Sequence, residues 1–74
     1  MEPEEAFNKA YEIVTGEDDG SIKEVEGYLD IASTADEKTK RTFRAKWNQM
    51  IENNQYEGSG FTSTFVCDCQ NYLN

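Results

Sequence analysis

The sequence contains no histidine, a single proline and two cysteines, and no long apolar run. Without histidine, Cys67 and Cys69 leave a tetrahedral zinc site two ligands short, and two cysteines cannot build the disulfide framework of a small secreted scaffold. No stretch approaches the roughly 18 apolar residues of a transmembrane helix. Residues 1–5 are acidic where a secretory signal is basic. We therefore expect a cytosolic protein that binds no membrane and keeps both thiols free and buried.

The chain has 74 residues, enough for one small domain, because a chain this short buries only about 60% of its unfolded surface on folding. Apolar residues make up 36% of it and nine residues are aromatic, which is typical of a packed core and not of a disordered tail. A large buried active site is not expected at this size. Since the chain also lacks histidine, a cysteine beside a base and a glycine-rich phosphate loop, we expect no enzymatic activity.

Charge is the most unbalanced property of the chain. Fifteen acids against seven bases give a net charge of -8, which argues against nucleic-acid binding and favours a basic partner, a cation or simple solubility. Residues 1–30 carry ten of the acids and two bases, whereas residues 31–50 carry five bases and two acids. These five bases form a basic strip, Lys38, Lys40, Arg41, Arg44 and Lys46. We expect the basic strip to be a solvated rim that pairs with the acidic N-terminal helices, in preference to a separate anion site.

Four helices are predicted from apolar spacing and capping signals. Pro3 suits the start of the first helix and Gly16 its end. Ser21 with Glu24, and Thr34 with Glu37, match the capping box that opens a helix. The apolar stripes run through Phe7, Ala10, Tyr11 and Val14; Ile22, Val25, Tyr28, Leu29 and Ala32; Phe43, Trp47, Met50 and Ile51; and Phe61, Phe65, Cys69, Tyr72 and Leu73. The fourth segment leaves open a short extended stretch at residues 62–65.

An internal repeat appears when the sequence is compared with itself at an offset of about 40 residues. The matched pairs are Phe7 with Trp47, Ala10 with Met50, Tyr11 with Ile51, Gly20 with Gly60, Val25 with Phe65 and Leu29 with Cys69. Each half then reads as helix, loop with a glycine, and helix. We therefore predict one domain over residues 1–74, built from duplicated hairpins at 1–33 and 34–74.

The order of these features resembles the EF-hand proteins of the calmodulin family. The residues that carry the resemblance are the helix-like run 7–14, the acidic loop Glu17, Asp18, Asp19 and Gly20, and the apolar Ile22 and Val25; the second half repeats the order with Met50, Ile51, Gly60 and Phe65. The resemblance implies an all-α fold, one lobe of two paired, degenerate EF-hands with four helices.

Both loops depart from a calcium-binding pattern. With Gly20 or Gly60 in the sixth loop position, the apolar residue that should follow the closing carboxylate arrives two residues early in each loop, and Thr64 stands where a bidentate carboxylate is needed. Calcium requires six to eight oxygen ligands, about half of them charged, so we expect no bound metal or other cofactor. Weak binding of a divalent ion by Glu17, Asp19 and Glu24 is left open.

An EF-hand lobe that has lost its ion resembles the myosin light chains, and a single lobe is most similar to the light chains of amoeboid class I myosins. This resemblance implies that the protein holds a basic amphipathic neck helix, the IQ motif of a myosin heavy chain, without calcium, at the actin cytoskeleton of the cell cortex, and is a monomer when free. The implied groove is lined by Tyr28, Leu29, Ala32, Phe43, Trp47, Met50, Cys69, Tyr72 and Leu73. The implied acidic rim consists of Glu5, Glu12, Glu17 and Asp18.

A different function class is compatible with the same charge. An acidic protein of this size can imitate nucleic acid and occlude the basic surface of a nuclease or DNA-binding protein. The basic strip argues against it, because it interrupts a continuous negative surface. Salt response separates the two hypotheses, since a binder anchored by apolar contacts loses less affinity in salt than a charge mimic does.

Overall fold

The chain folds into four α-helices with no strand in residues 1–74, all of which the computed structural model describes. The helices are α1 (Pro3–Val14), α2 (Ile22–Ala32), α3 (Glu37–Glu52) and α4 (Ser63–Asp68). A single 3-10 turn, Glu57–Ser59, lies between α3 and α4, and α4 continues directly into a C-terminal 3-10 helix, Cys69–Leu73. The prediction of an all-α fold with four helices is confirmed, and the extended alternative at residues 62–65 is wrong because α4 begins at Ser63.

Side-chain caps fix where the later helices begin. The Ser21 hydroxyl accepts a hydrogen bond from the Glu24 amide at the start of α2, at 3.2 Å. The Thr62 hydroxyl does the same for the Phe65 amide at the start of α4, also at 3.2 Å. Each cap satisfies one of the backbone N–H groups that a helix leaves unpaired at its first turn.

The start of α3 differs from its prediction. Asp36, not Thr34, is the N-cap, and its carboxylate accepts from the Thr39 amide at 2.8 Å. Thr34 instead donates its hydroxyl to the Ile31 carbonyl at 2.7 Å, one turn back at the end of α2. Both residue types can cap a helix, and this hydroxyl is already engaged by the preceding helix.

The helices α1 and α3 end in the same backbone motif. Gly16 has φ +86° and Asn54 has φ +54°, and each follows the last helical residues as the left-handed position of a Schellman motif. In both, the next amide donates to the carbonyl five residues before it, at 2.8 Å after α1 and 3.1 Å after α3. The first helix of each predicted hairpin therefore stops by the same mechanism.

Gly20 is required for a reason other than the turn predicted for it. Its φ is not in the left-handed region, whereas Gly60, its partner in the repeat, has φ +86°. A Cβ on Gly20 would lie 2.5 Å from the Cδ1 atom of Ile13, which is only 3% exposed. Gly20 therefore allows the first loop to pack closely on α1, and the two glycines are not conformational equivalents.

One apolar core joins all the helices. It comprises Phe7, Ala10, Ile13 and Val14 from α1, Val25, Leu29 and Ala32 from α2, Phe43, Trp47 and Met50 from α3, Val66 from α4, and Cys69 and Leu73 from the C-terminal 3-10 helix. The rings of Phe7 and Phe43 stack at 4.4 Å between centroids, and the Phe7 ring meets the Trp47 ring edge-on at 6.0 Å. The indole N–H of Trp47 donates to the Val66 carbonyl at 2.9 Å, so this buried polar group is satisfied.

The core shows how far the predicted repeat extends. At an offset of 40, Phe7 matches Trp47 and Ala10 matches Met50, and all four are buried. The second helices begin at an offset of 41, because their caps are Ser21 and Thr62 and the buried partner of Val25 is Val66, whereas the predicted pair Leu29 and Cys69 is buried at the offset of 40. The predicted partner, Phe65, is only partly buried. The loop at 53–62 is three residues longer than the loop at 15–21, and α4 is much shorter than α2.

None of these helices has both the length and the apolar composition that a membrane span requires.

Candidate partner-binding surface

The residues predicted to line a groove lie mostly inside the core. Those fully or almost fully buried are Leu29, Ala32, Phe43, Trp47, Met50, Cys69 and Leu73, none more than 5% exposed. The remaining two, Tyr28 and Tyr72, are partly buried and pack against the core from outside. The lobe is therefore closed, and no open groove runs between these side chains.

The C-terminal 3-10 helix helps to close the lobe. It packs against both α2 and α3, and its residues Cys69 and Leu73 are buried between them. Burial, with a smaller contribution from the Glu26 carboxylate, raises the pKa of the Cys69 thiol to about 12. The same two causes raise the pKa of Tyr72 above its ordinary value. Cys67, by contrast, is exposed, so the expectation of two buried thiols is wrong for this residue.

The basic strip holds the end of the chain. Arg44 donates to the Leu73 carbonyl at 2.5 Å and to the Glu37 carboxylate at 2.9 Å. The Lys40 ammonium donates to the Asn74 backbone oxygen at 3.2 Å and lies 3.8 Å from Glu37. The Glu37 carboxylate has a lowered pKa because it accepts the Arg44 hydrogen bond.

These contacts correct the expected role of the basic strip. Both salt bridges in the protein lie within α3, between Glu37 and the bases Lys40 and Arg44. Lys46 does reach α1, but its ammonium lies over the Tyr11 ring, 5.5 Å from the centroid, and not on a carboxylate. The prediction that the strip pairs with the acidic N-terminal helices is therefore wrong.

The acids of the first half are consequently unpaired. Ten acids lie in residues 1–30, and none of them takes part in a salt bridge. Of the predicted rim, Glu5, Glu17 and Asp18 are exposed and Glu12 is partly buried. Glu5 and Glu12 are seven residues apart on α1 and so share one face of it, whereas the other two lie in the loop beyond its end. The rim residues thus follow α1 and continue into the loop at 15–21.

No metal-binding group is formed by the acids of the first loop. The structure contains no group of three or more cysteine, aspartate or glutamate side chains placed to hold a metal ion. The Asp18 carboxylate accepts from the Asp19 amide at 2.9 Å and so stabilises the loop locally. The structure does not bring Glu17, Asp19 and Glu24 together as one ligand set.

Comparison with known proteins returned nothing similar. No protein-family model matches the chain, and neither a curated protein nor a solved structure matches it.

A shallow cleft lies between α1 and α3. Its volume is about 510 Å³, and Phe7 and Phe43 stack at its floor. Lys38, Lys46 and Glu4 stand at its walls, so charges of both signs face the same space. This mixture does not favour one class of ligand.

A second surface feature was missed from sequence. Ile22 is 52% exposed, and it lies beside Phe61 and Phe65 around a cavity of about 250 Å³ where the two loops meet. The helical stripe assigned Ile22 to the buried face of α2. Its position as the first residue of the helix is the only signal that it could project beyond the core.

Proposed function

We propose that the protein is a non-catalytic binding module that holds a basic amphipathic helix without requiring calcium, as a myosin light chain holds an IQ-type neck helix. The observation that carries this proposal is the absence of any ion pair among the ten acids of residues 1–30. Acids that have no salt-bridge partner on the surface of a folded domain are available to lysine and arginine side chains of a partner. Such attraction speeds encounter and orients the partner, while apolar contacts supply most of the affinity.

The hairpin architecture supports a degenerate EF-hand pair. Both first helices end in a Schellman motif, and both second helices begin at a hydroxyl N-cap. The second loop contacts the end of α1, since the Ser59 hydroxyl donates to the Val14 carbonyl at 2.5 Å. The unequal loop and helix lengths are the features that this pairing must accommodate.

Binding within a lobe groove requires opening. Trp47, Leu29 and Met50 are buried, so a helix can reach them only if the C-terminal 3-10 helix or α4 moves aside. That movement exposes core surface, and a domain of this size has only a small net stability to draw on. A partner helix would offset the exposure by covering the same apolar side chains. Binding and opening are then coupled, and the free energy of binding appears as added stability.

The test is a titration with a synthetic basic amphipathic helix in chelator and again in calcium. The expected result is saturable binding of equal affinity in both buffers, with a higher melting temperature of the protein at saturation. The matched control is a peptide of identical composition whose apolar residues are scattered around the helix, and it should bind much more weakly. An unchanged melting curve at saturating peptide would count against the proposal, as would a requirement for calcium.

One observation favours the nucleic-acid mimic as the second candidate. Lys40 and Arg44 are engaged with Glu37 and with the backbone at Leu73 and Asn74. These two bases therefore reduce the negative potential of the rest of the surface less than two free bases would. A basic nuclease or DNA-binding protein would then meet a nearly uninterrupted acidic half. Inhibition of such a protein that is lost steeply as salt rises would support this candidate.

A further inference from the structure

The loop end of the molecule carries apolar side chains that the fold covers only in part, since Phe61 and Phe65 pack against the core and Ile22 is exposed. We name this surface the loop-end patch and define it by Ile22, Phe61 and Phe65. The rings of Phe61 and Phe65 stack at 5.5 Å between centroids, and both are only partly buried. With Gly20 and Gly60 these side chains surround a cavity of about 250 Å³.

The exposure of Ile22 is not accounted for by packing in the fold. Its side chain is 52% exposed, and the only other exposed large apolar side chain is Met1. The first position of a helix accepts polar residues readily, so folding does not demand isoleucine there. A single exposed apolar residue needs no explanation, but one that adjoins two partly buried phenylalanines around a concavity indicates a contact surface.

The surroundings of the loop-end patch define the charge of its partner. The loops at 15–21 and 53–62 contain Glu17, Asp18, Asp19 and Glu57 and no base. None of these acids is in a salt bridge. Lys23 is the one base adjacent to the patch in sequence. An apolar patch at loops that carry unpaired acids and no base is complementary to an apolar side chain flanked by lysine or arginine.

We propose that a basic amphipathic segment docks on the loop-end patch, with one apolar side chain in its cavity and its bases on the acids of the two loops. This inference rests on the proposed function and specifies where the partner binds. Docking here leaves the core closed, whereas binding in the interhelical groove exposes Trp47, Leu29 and Met50, which have no exposed surface in the closed lobe. The loop-end patch therefore needs no conformational change before contact.

Two variants test this inference by isothermal titration with the same basic amphipathic peptide. Ile22→Ser removes an exposed apolar side chain from the loop-end patch. Ile31→Ser is the matched control: it makes the same change on the same helix, at a partly buried residue that lies outside the core cluster and about 14 Å from Ile22 along α2. The expected result is a loss of affinity of about tenfold for Ile22→Ser, equivalent to about 1.4 kcal/mol, and no change for Ile31→Ser.

Trp47 emission distinguishes the loop-end patch from the groove. Trp47 is the only tryptophan, is fully buried and is hydrogen-bonded to Val66, so its emission should stay unchanged if the peptide docks on the patch. Binding that shifts Trp47 emission and is insensitive to Ile22→Ser would overturn the loop-end patch and leave the proposed function standing. No binding of the peptide to the unaltered protein would overturn both.

Discussion

At the scale of single residues, Cys69 is expected to make the protein less stable as the pH becomes alkaline. Its pKa is raised from 9.0 to about 12, chiefly by burial. The folded state therefore favours the neutral thiol, and the stability from this preference is complete below pH 9.0 and is lost as the pH rises toward about 12. The raised pKa of Tyr72 acts in the same direction.

We expect the free energy of unfolding to fall over this alkaline range, and to fall less steeply in Cys69→Ala. The two proteins differ only at residue 69, so the difference in slope reports the thiol. Urea unfolding followed by Trp47 emission at a series of pH values measures it. Parallel slopes in the two proteins would show that Cys69 is not responsible.

At the scale of helices, the two Schellman motifs allow a matched comparison. Gly16→Ala should destabilise the protein by roughly 1 kcal/mol, because a Cβ disfavours the left-handed conformation. Crowding is not the cause, since the nearest atom to the added Cβ would be the Ser59 Cβ at an ordinary 3.7 Å.

Asn54→Gly should change the free energy of unfolding in the opposite direction and raise stability slightly. Asn54 already adopts φ +54°, a conformation that glycine adopts more readily. Gly16→Asn is the control and should cost less than Gly16→Ala, because asparagine tolerates this conformation better than alanine. Urea midpoints of the variants give the order. Equal loss in Gly16→Asn and Gly16→Ala would mean that backbone conformation is not the source of the effect.

The C-terminal 3-10 helix depends on the basic strip for its position. Arg44→Met keeps most of the side chain's length but removes the hydrogen bond to the Leu73 carbonyl. We expect faster amide hydrogen exchange in residues 69–73 and little change in α1, because short 3-10 helices have weak internal hydrogen bonds. The control is Arg41→Met, because Arg41 lies on the same helix and its guanidinium makes no hydrogen bond or salt bridge within the protein. Uniformly faster exchange across all helices would indicate global destabilisation and contradict a local role for Arg44.

Local signals in the sequence predict the helices well and their packing less well. Pro3 and Ser21 mark helix starts because their chemistry acts within one turn, and the structure has α1 and α2 beginning there. The prediction that Thr34 caps α3 failed because its hydroxyl is turned toward the Ile31 carbonyl of the preceding helix, and Asp36 caps α3 instead. The change of α4 into a 3-10 helix at Cys69 has no local signal, since it follows from packing against α2 and α3.

The candidate binding residues show the same division. Apolar spacing correctly places Leu29 and Trp47 on inward helix faces, but spacing does not distinguish a closed core from an open groove, because both use the same face. The exposure of Ile22 depends on how the two loops meet, which no helical pattern encodes. Composition requires that many acids stay unpaired, because seven bases cannot neutralise 15 acids, but it does not indicate that the unpaired acids include all ten of the first half.

At the scale of the whole molecule, the surface is electrically divided. An acidic half formed by α1, the first loop and α2 adjoins α3, where some bases are held by Glu37 and the chain end. The core beneath is a single cluster that includes residues of every helix. In the proposed complex, charge and apolar contact would therefore contribute separately, and salt would weaken mainly the contribution of charge.

This separation gives a prediction about salt. Raising sodium chloride from about 50 to 500 mM should weaken binding of the basic amphipathic peptide by no more than about tenfold, because ions screen the acids but not the apolar anchor. The double variant Glu17→Gln/Asp18→Asn removes two exposed acids of the loop at 15–21. It should bind more weakly at low salt and approach the unaltered protein at high salt. A nucleic-acid mimic behaves differently, since partners held by several charge pairs lose about 10³-fold or more over a smaller salt change. A loss of that size, with no residual affinity at high salt, would contradict apolar anchoring and favour the acidic inhibitor.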